Sequence, residues 1–188
     1  MLRELDVPHE QVIINTSAGD QNTPEYRAIN PMAKLPALVD GQTIVTETAA
    51  ICAYLADKFA EKHFAPDINS PERPAYYRYL FIPGSTFEPA FSLAAAGFEY
   101  PQPQSAGWGD RERVMATIES MCPNDGWALG GEFSTADVVF GGILDFSMVF
   151  NWLKASPKIA SYVERIRLRR AYQETHTGFI SMNFSVGG

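Results

Sequence analysis

Residues 30–59 constrain the fold of this chain more than any other stretch of its sequence. They contain two apolar segments, residues 37–39 and 43–45, which are too short to be helices. Asp40-Gly41 lies between these segments and is one of the strongest short signals for a hairpin turn. The sequence therefore predicts a β-hairpin at this point.

A helix is predicted directly after the hairpin, beginning at Glu47 and Thr48. Apolar residues then recur about one helical turn apart, at Ala49, Ile51, Leu55 and Phe59. The first turn of a helix exposes unpaired N–H groups and roughly half a positive charge, so it can bind a carboxylate. The Thr48 hydroxyl can donate to the same carboxylate, and the Glu47 carboxylate can bind an ammonium group. The Lys34 ammonium can bind a second carboxylate. Together they suit a small zwitterion with two carboxylates.

The composition is that of an ordinary soluble globular chain. Of its 188 residues 46% are hydrophobic and 20% charged, which fits one domain or two small ones. The net charge of −7 argues against nucleic acid or an anionic membrane as the main partner. Cys52 and Cys122 form no CxxC motif, and the histidines show no ligand spacing. We therefore expect a cytoplasmic protein without a metal site.

The rest of the first half contains short elements. Residues 1–7 suggest the last turn of a helix that ends before Pro8, and residues 11–14 suggest a short strand. Residues 24–29 form a helical turn at most. Three prolines in residues 66–74 make this segment the best linker in the chain, so we expect a domain boundary there.

The second half shows helical signals only. They predict helices over residues 73–98, with a break at Pro83-Gly84, over residues 110–122, and over residues 157–170. Ser134 and Asp137 have the spacing of a capping box and predict a further helix from there to residue 146. Residues 179–188 match no element that we can place.

The first half of the chain contains the pattern Asn30-Pro31-x-x-Lys34-Leu35-Pro36-x-Leu38, then Asp40-Gly41, then Glu47-Thr48-x-Ala50-Ile51-x-x-Tyr54-Leu55. The resemblance that it carries is to the glutathione-binding half of soluble glutathione transferases, with a bacterial-like pattern. It implies that Pro36 is cis and that the Leu35 backbone pairs with the cysteinyl part of glutathione. It also implies that Glu47 and Thr48 hold the γ-glutamyl end and that Lys34 lies near the glycyl carboxylate.

A second match lies far from the first, where Leu129-Gly130-Gly131-x-Phe133 precedes the capping box. The resemblance implies a thioredoxin-like α/β domain over residues 1–64, an all-helical domain over residues 75–188, and a homodimer. Residues 1–5 line up with the end of the family's first helix, so we expect that the chain is N-terminally truncated. An activating Ser, Tyr or Cys would then precede Met1, and no catalytic residue is assigned.

The implied function is conjugation of the glutathione thiol to a small electrophile, in detoxification, with glutathione as co-substrate. The resemblance also suggests that Tyr76, Tyr79 and Phe87 line the electrophile pocket, although such an aromatic stripe is more simply core and dimer contact. Two alternatives stay open. One is a non-catalytic module that binds a partner or dimerises, and the other is a glutathione-dependent isomerase or thiol reductase.

Overall fold

The computed structural model describes residues 1–176 of the chain. Its only sheet within these residues is the predicted hairpin, in which β1 (Ala37–Asp40) pairs antiparallel with β2 (Thr43–Thr46). Gly41 in the turn has a φ of 62°, a conformation that glycine adopts without strain. Three helices belong to this half of the chain: α1 (Leu2–Leu5), α2 (Pro24–Ile29) and α3 (Thr48–Lys58).

The prediction of a strand at residues 11–14 is wrong. These residues form no regular structure, and the side chains of Val12 and Ile13 are 71% and 84% exposed. A strand is stable only when its backbone groups pair with a neighbour. In residues 1–176 no strand lies beside this segment, so its backbone groups have no strand to pair with.

The second half is entirely helical over the described residues. Its helices are α4 (Arg73–Ile82), α5 (Glu88–Ala95), α6 (Arg111–Met121), α7 (Thr135–Val149), α8 (Pro157–Arg167) and α9 (Arg170–His176). The break expected at Pro83 is a π-helical turn over Pro83–Phe87, which keeps α4 and α5 continuous. The last helix, predicted over residues 157–170, instead divides into α8 and α9. Residues 179–188, for which the sequence predicts no element, lie outside the described residues.

Helix α7 occupies the centre of the molecule. Phe140 and Leu144 on this helix have no exposed surface and belong to the main core with α5, α6 and α8. Ala136 and Val139, one turn earlier, pack against Cys52 of α3. The hairpin and the helical half are thus joined through α3 and α7, which confirms the predicted α/β plus all-helical class. Among residues 1–176 no helix has the length and apolarity that crossing a membrane requires.

Candidate functional site

The loop over residues 30–36 is held by a buried asparagine. Asn30 is 3% exposed, and its amide nitrogen donates a hydrogen bond to the carbonyl oxygen of Lys34 at 2.8 Å. The hydroxyl of Tyr26, on α2, donates to the same oxygen at 2.7 Å. The Asn30 side-chain oxygen accepts from the amide of Met32 at 3.1 Å. These bonds fix the path of the loop while the Lys34 side chain stays exposed.

The peptide bond between Leu35 and Pro36 is cis, as predicted. In the part of the chain that the structure describes, the backbone amide and carbonyl of Leu35 take part in no hydrogen bond. The Leu35 side chain is 44% exposed. A peptide laid along this residue can therefore form two backbone hydrogen bonds with it.

The N-terminus of α3 is open, in the sense that no side chain of the described residues caps it. Glu47, the residue before the helix, has a φ of 70°, which is uncommon for a residue with a side chain and costs roughly 1–3 kcal/mol. No side chain within residues 1–176 caps the helix. The first hydrogen bond within the helix runs from the amide of Ile51 to the Glu47 carbonyl at 2.9 Å. In the described part of the chain the N–H groups of the first turn therefore have no partner.

Strand pairing brings the loop and the helix start together. Ala37 pairs with Thr46, so Pro36 and Glu47 leave the hairpin at the same end. We call the surface formed by residues 34–36 and 47–50 the hairpin corner. All five residues predicted to bind glutathione lie in it: Lys34, Leu35, Pro36, Glu47 and Thr48. Lys34 forms no ion pair within residues 1–176, so its charge is available to a ligand.

A polar contact fixes the hairpin on α3. The carboxylate of Asp40, in β1, accepts a hydrogen bond from the Tyr54 hydroxyl at 2.7 Å and another from the Lys58 ammonium. The bond from Lys58, followed by that from Tyr54, lowers the pKa of Asp40. The contact ties the hairpin turn to the middle and end of the helix, and so fixes the hairpin corner between them.

Of the three residues predicted for the electrophile pocket, Tyr76 and Phe87 lie in the core and Tyr79 is partly buried against it. Tyr76 and Phe87 have no exposed surface, and burial raises the pKa of Tyr76 to about 12. The Tyr79 hydroxyl donates to the carbonyl of Met121 at 2.8 Å. Their aromatic spacing reflects packing between helices, which is the simpler of the two sequence interpretations.

The N-terminus of α7 is closed, in the sense that buried side chains cap it. The predicted capping box is confirmed, since Asp137 accepts the Ser134 amide at 2.9 Å. The other carboxylate oxygen accepts the Ala128 amide at 2.7 Å and the Tyr162 hydroxyl at 2.8 Å. Burial raises the pKa of Asp137, and these hydrogen bonds oppose that shift. Neither the Ala128 nor the Tyr162 contact has a local sequence signal, and the cluster has no open side for a ligand.

Comparison with known proteins agrees with this geometry. The family model for the glutathione S-transferase N-terminal domain matches residues 1–63. A zeta-class glutathione S-transferase of Euphorbia esula is 32% identical over 145 residues, covering 74% of this chain and 61% of that protein. Glutathione S-transferase 1 of Schizosaccharomyces pombe is 27% identical over 160 residues, covering 74% and 65%. The chain thus spans less than two thirds of the length of these curated relatives.

Solved structures share the whole fold. A sphingomonad glutathione S-transferase complexed with glutathione is 26% identical, with a TM-score of 0.70 over 92% of this chain and 88% of that chain. A Sulfitobacter glutathione transferase homologue with bound glutathione is 23% identical, with a TM-score of 0.73 over 93% and 88%, and shows the fold. The family model, the sequence relatives and the fold agree in making this chain similar to the soluble glutathione transferases.

Proposed function

We propose that this chain binds glutathione at the hairpin corner and conjugates its thiol to a small electrophile. The observation that carries the proposal is the open N-terminus of α3 beside the cis Leu35-Pro36 bond. The first-turn N–H groups and the Thr48 hydroxyl bind the γ-glutamyl carboxylate, and Glu47 binds the α-ammonium. The Leu35 backbone pairs with the cysteinyl residue, and Lys34 attracts the glycyl carboxylate.

The reaction joins sulfur to carbon. The thiol first loses its proton to solvent, and the thiolate then attacks the electrophilic carbon while the leaving group departs with the electron pair of the bond that breaks. A thiol with a pKa of about 8.5 is only a few per cent ionised at neutral pH, so catalysis needs a group that stabilises the thiolate. No residue from 1 to 176 is assigned that role. The hairpin corner accounts for binding and orientation of the thiol.

The finer assignments are part of the same proposal. We place the thioredoxin-like domain at residues 1–64 and the helical domain at residues 75–188, in a cytoplasmic homodimer that acts in detoxification. Exposed apolar side chains support a dimer surface. Phe81 on α4 is 63% exposed and stacks on Tyr77, with 6.1 Å between ring centroids. Val39 and Ile44 on the hairpin are 54% and 47% exposed.

Calorimetric titration with reduced glutathione tests the binding site. We expect Lys34→Ala and Thr48→Ala to weaken binding about tenfold each, since a hydrogen bond or ion pair to a charged group is lost. Lys62→Ala is the matched control, because Lys62 is an exposed lysine outside the hairpin corner. Unchanged affinity in both variants would contradict the site.

Turnover is measured separately with an aryl halide electrophile. Binding together with conjugation supports the transferase. Binding without turnover on the aryl halide favours the non-catalytic module, unless the protein isomerises or reduces a glutathione adduct. Neither binding nor turnover would contradict the proposed function as a whole.

A further inference from the structure

Tyr26 is the buried residue of α2, a helix of six residues. Its side chain is 7% exposed, yet it belongs to none of the apolar clusters that form the core of the described residues. Its hydroxyl instead donates to the carbonyl oxygen of Lys34 at 2.7 Å. Burial raises the pKa of Tyr26, so the hydroxyl keeps its proton at neutral pH. Tyr26 therefore links α2 to the loop over residues 30–36.

The loop that Tyr26 holds contains a strained residue. Ala33 has a φ of 54°, a left-handed conformation that is unfavourable for a residue with a side chain. Its amide donates to the Asn30 carbonyl at 2.9 Å, which closes a turn over residues 30–33. Such a residue persists only where its surroundings hold it in place. The two hydrogen bonds to the Lys34 carbonyl, from Tyr26 and from Asn30, hold the end of this turn.

The same two hydrogen bonds fix the direction of the next amide. The peptide bond between Lys34 and Leu35 is trans, so its C=O and N–H groups lie in one plane and point in opposite directions. Tyr26 and Asn30 are buried and bind the carbonyl from the interior of the protein. The Leu35 N–H therefore points away from them, and it has no partner within residues 1–176.

The hydrogen bonds at the carbonyl also make this N–H a stronger donor. Hydrogen bonds that share a peptide group polarise one another, and the effect is larger away from bulk water. The Lys34 carbonyl accepts two of them, one from each buried side chain. A ligand at the hairpin corner thus meets a donor whose direction and strength depend on Tyr26.

We propose that Tyr26 is a positioning residue for glutathione, which aims the Leu35 amide at the carbonyl of the cysteinyl residue. It acts through the peptide group between Lys34 and Leu35 and does not touch the ligand. This inference rests on the proposed function and adds to it the residue that orients the cysteinyl part of the site. The competing interpretation is that Tyr26 only anchors α2, in which case its hydroxyl matters for stability and not for the choice of ligand.

Tyr26→Phe tests the proposal, because it removes the hydroxyl and keeps the ring. Asn30 still binds the Lys34 carbonyl, so no buried acceptor loses its last partner. We expect calorimetric titration with reduced glutathione to show about three- to tenfold weaker binding, as the loss of one well-placed hydrogen bond predicts. Urea unfolding of the same preparation checks that the variant is folded.

Tyr79→Phe is the matched control. The Tyr79 hydroxyl also donates to a backbone carbonyl, that of Met121, at 2.8 Å, but it does so within the packing of the helical half. The two substitutions should lower the midpoint of urea unfolding by comparable amounts, whereas Tyr79→Phe should leave the affinity for glutathione unchanged. An equal loss of affinity in both variants would mean that affinity follows stability, and would overturn the proposal.

A second ligand separates positioning from a general loosening of the site. γ-Glutamylcysteamine keeps the γ-glutamyl group and the thiol but lacks the cysteinyl carbonyl and the glycine. In a displacement titration against glutathione, Tyr26→Phe should weaken its binding by less than twofold, because this ligand offers the Leu35 amide no acceptor. Equal losses for the two ligands would show that Tyr26 acts on stability alone and would refute the proposal.

The Leu35 amide proton gives a direct readout by nuclear magnetic resonance. Glutathione should shift its resonance downfield in the unaltered protein, and Tyr26→Phe should at least halve that shift. A shift of full size in the variant, or affinity that the substitution leaves unchanged, would overturn this inference alone. Absence of glutathione binding by the unaltered protein would overturn the proposed function and this inference with it.

Discussion

The N-termini of α3 and α7 have similar sequences but different roles. Each has a hydroxyl and an acidic residue near its first turn, Glu47-Thr48 in α3 and Ser134 with Asp137 in α7. At α7 the polar groups are buried and bonded to one another, and Ser134 has an ordinary extended φ of −138°. At α3 the first turn is uncapped and exposed, and Glu47 is strained at a φ of 70°.

The difference shows how to distinguish a structural helix start from a binding one. A closed start contributes to stability, because its donors and acceptors are satisfied inside the protein. An open start contributes little to stability and leaves donors for a ligand. Substitutions at α7 should therefore change the free energy of unfolding, whereas substitutions at α3 should change the affinity for glutathione.

The largest effect is expected from Asp137→Ala at the closed start. The substitution removes the acceptor of the Ser134 and Ala128 amides and of the Tyr162 hydroxyl, and leaves these donors buried without a partner. We expect the free energy of unfolding, measured in urea, to fall by about 3–5 kcal/mol.

The control for that loss is Asp110→Ala, at the N-terminus of α6. Asp110 caps that helix through a single bond to the Arg113 amide, at 2.8 Å, and is only partly buried. Its replacement should cost about 1 kcal/mol. Equal losses at the two positions would mean that the closed network adds nothing beyond ordinary capping.

A second test probes the packing of α7 further along the helix, after its capped N-terminus. In Gly141→Ala the new Cβ would lie 2.0 Å from Cδ1 of Ile166, which is 6% exposed in the core. We expect a loss of about 1–3 kcal/mol in the free energy of unfolding, since overpacking forces side chains from their rotamers. Gly142→Ala on the neighbouring residue should instead stabilise by up to about 1 kcal/mol, because its Cβ meets nothing.

The clash has a specific partner, which gives this test its control. Ile166→Val removes Cδ1, so the double variant with Gly141→Ala should recover part of the lost stability. Failure to recover any would show that the damage at Gly141 has a cause other than this contact.

Thr48→Ala is the corresponding test at the open start. The Thr48 hydroxyl is exposed and caps nothing, so the free energy of unfolding should change by less than about 0.5 kcal/mol. Glutathione binding should weaken about tenfold, as expected for loss of a hydrogen bond to a carboxylate. Calorimetry and urea unfolding on the same preparation measure both quantities. A loss of stability without a loss of affinity would show that Thr48 stabilises the helix and does not bind glutathione.

The smallest expected effect is a gain in stability from Glu47→Gly. Glycine adopts a positive φ without strain, although it also increases the entropy of the unfolded chain. We expect a net stabilisation of up to about 1 kcal/mol, seen as a higher midpoint of thermal unfolding, together with weaker glutathione binding. Asp6→Gly, at another residue with positive φ (53°) outside the hairpin corner, is the control and should leave affinity unchanged.

Much of the fold was predictable because its signals are local. The Asp40-Gly41 turn, the capping box at Ser134 and the apolar spacing of the helices each lie within a few residues, and the hairpin and most helices follow from them. The strand expected at residues 11–14 was wrong for the opposite reason. Its run of β-branched residues is a local signal, but the stability of a strand depends on a neighbouring strand, which the described residues do not supply.

The candidate site divides in the same way. The sequence alone predicted the hairpin and the start of α3, and so placed the five residues predicted to bind glutathione at one end of the hairpin, because these groups are close along the chain. Only the tertiary structure decided which polar groups are open. Ala128 and Tyr162 close the N-terminus of α7 from distant parts of the sequence, whereas nothing in residues 1–176 caps α3. Burial placed Tyr76 and Phe87 in the core, since the exposure of a side chain depends on every helix packed around it.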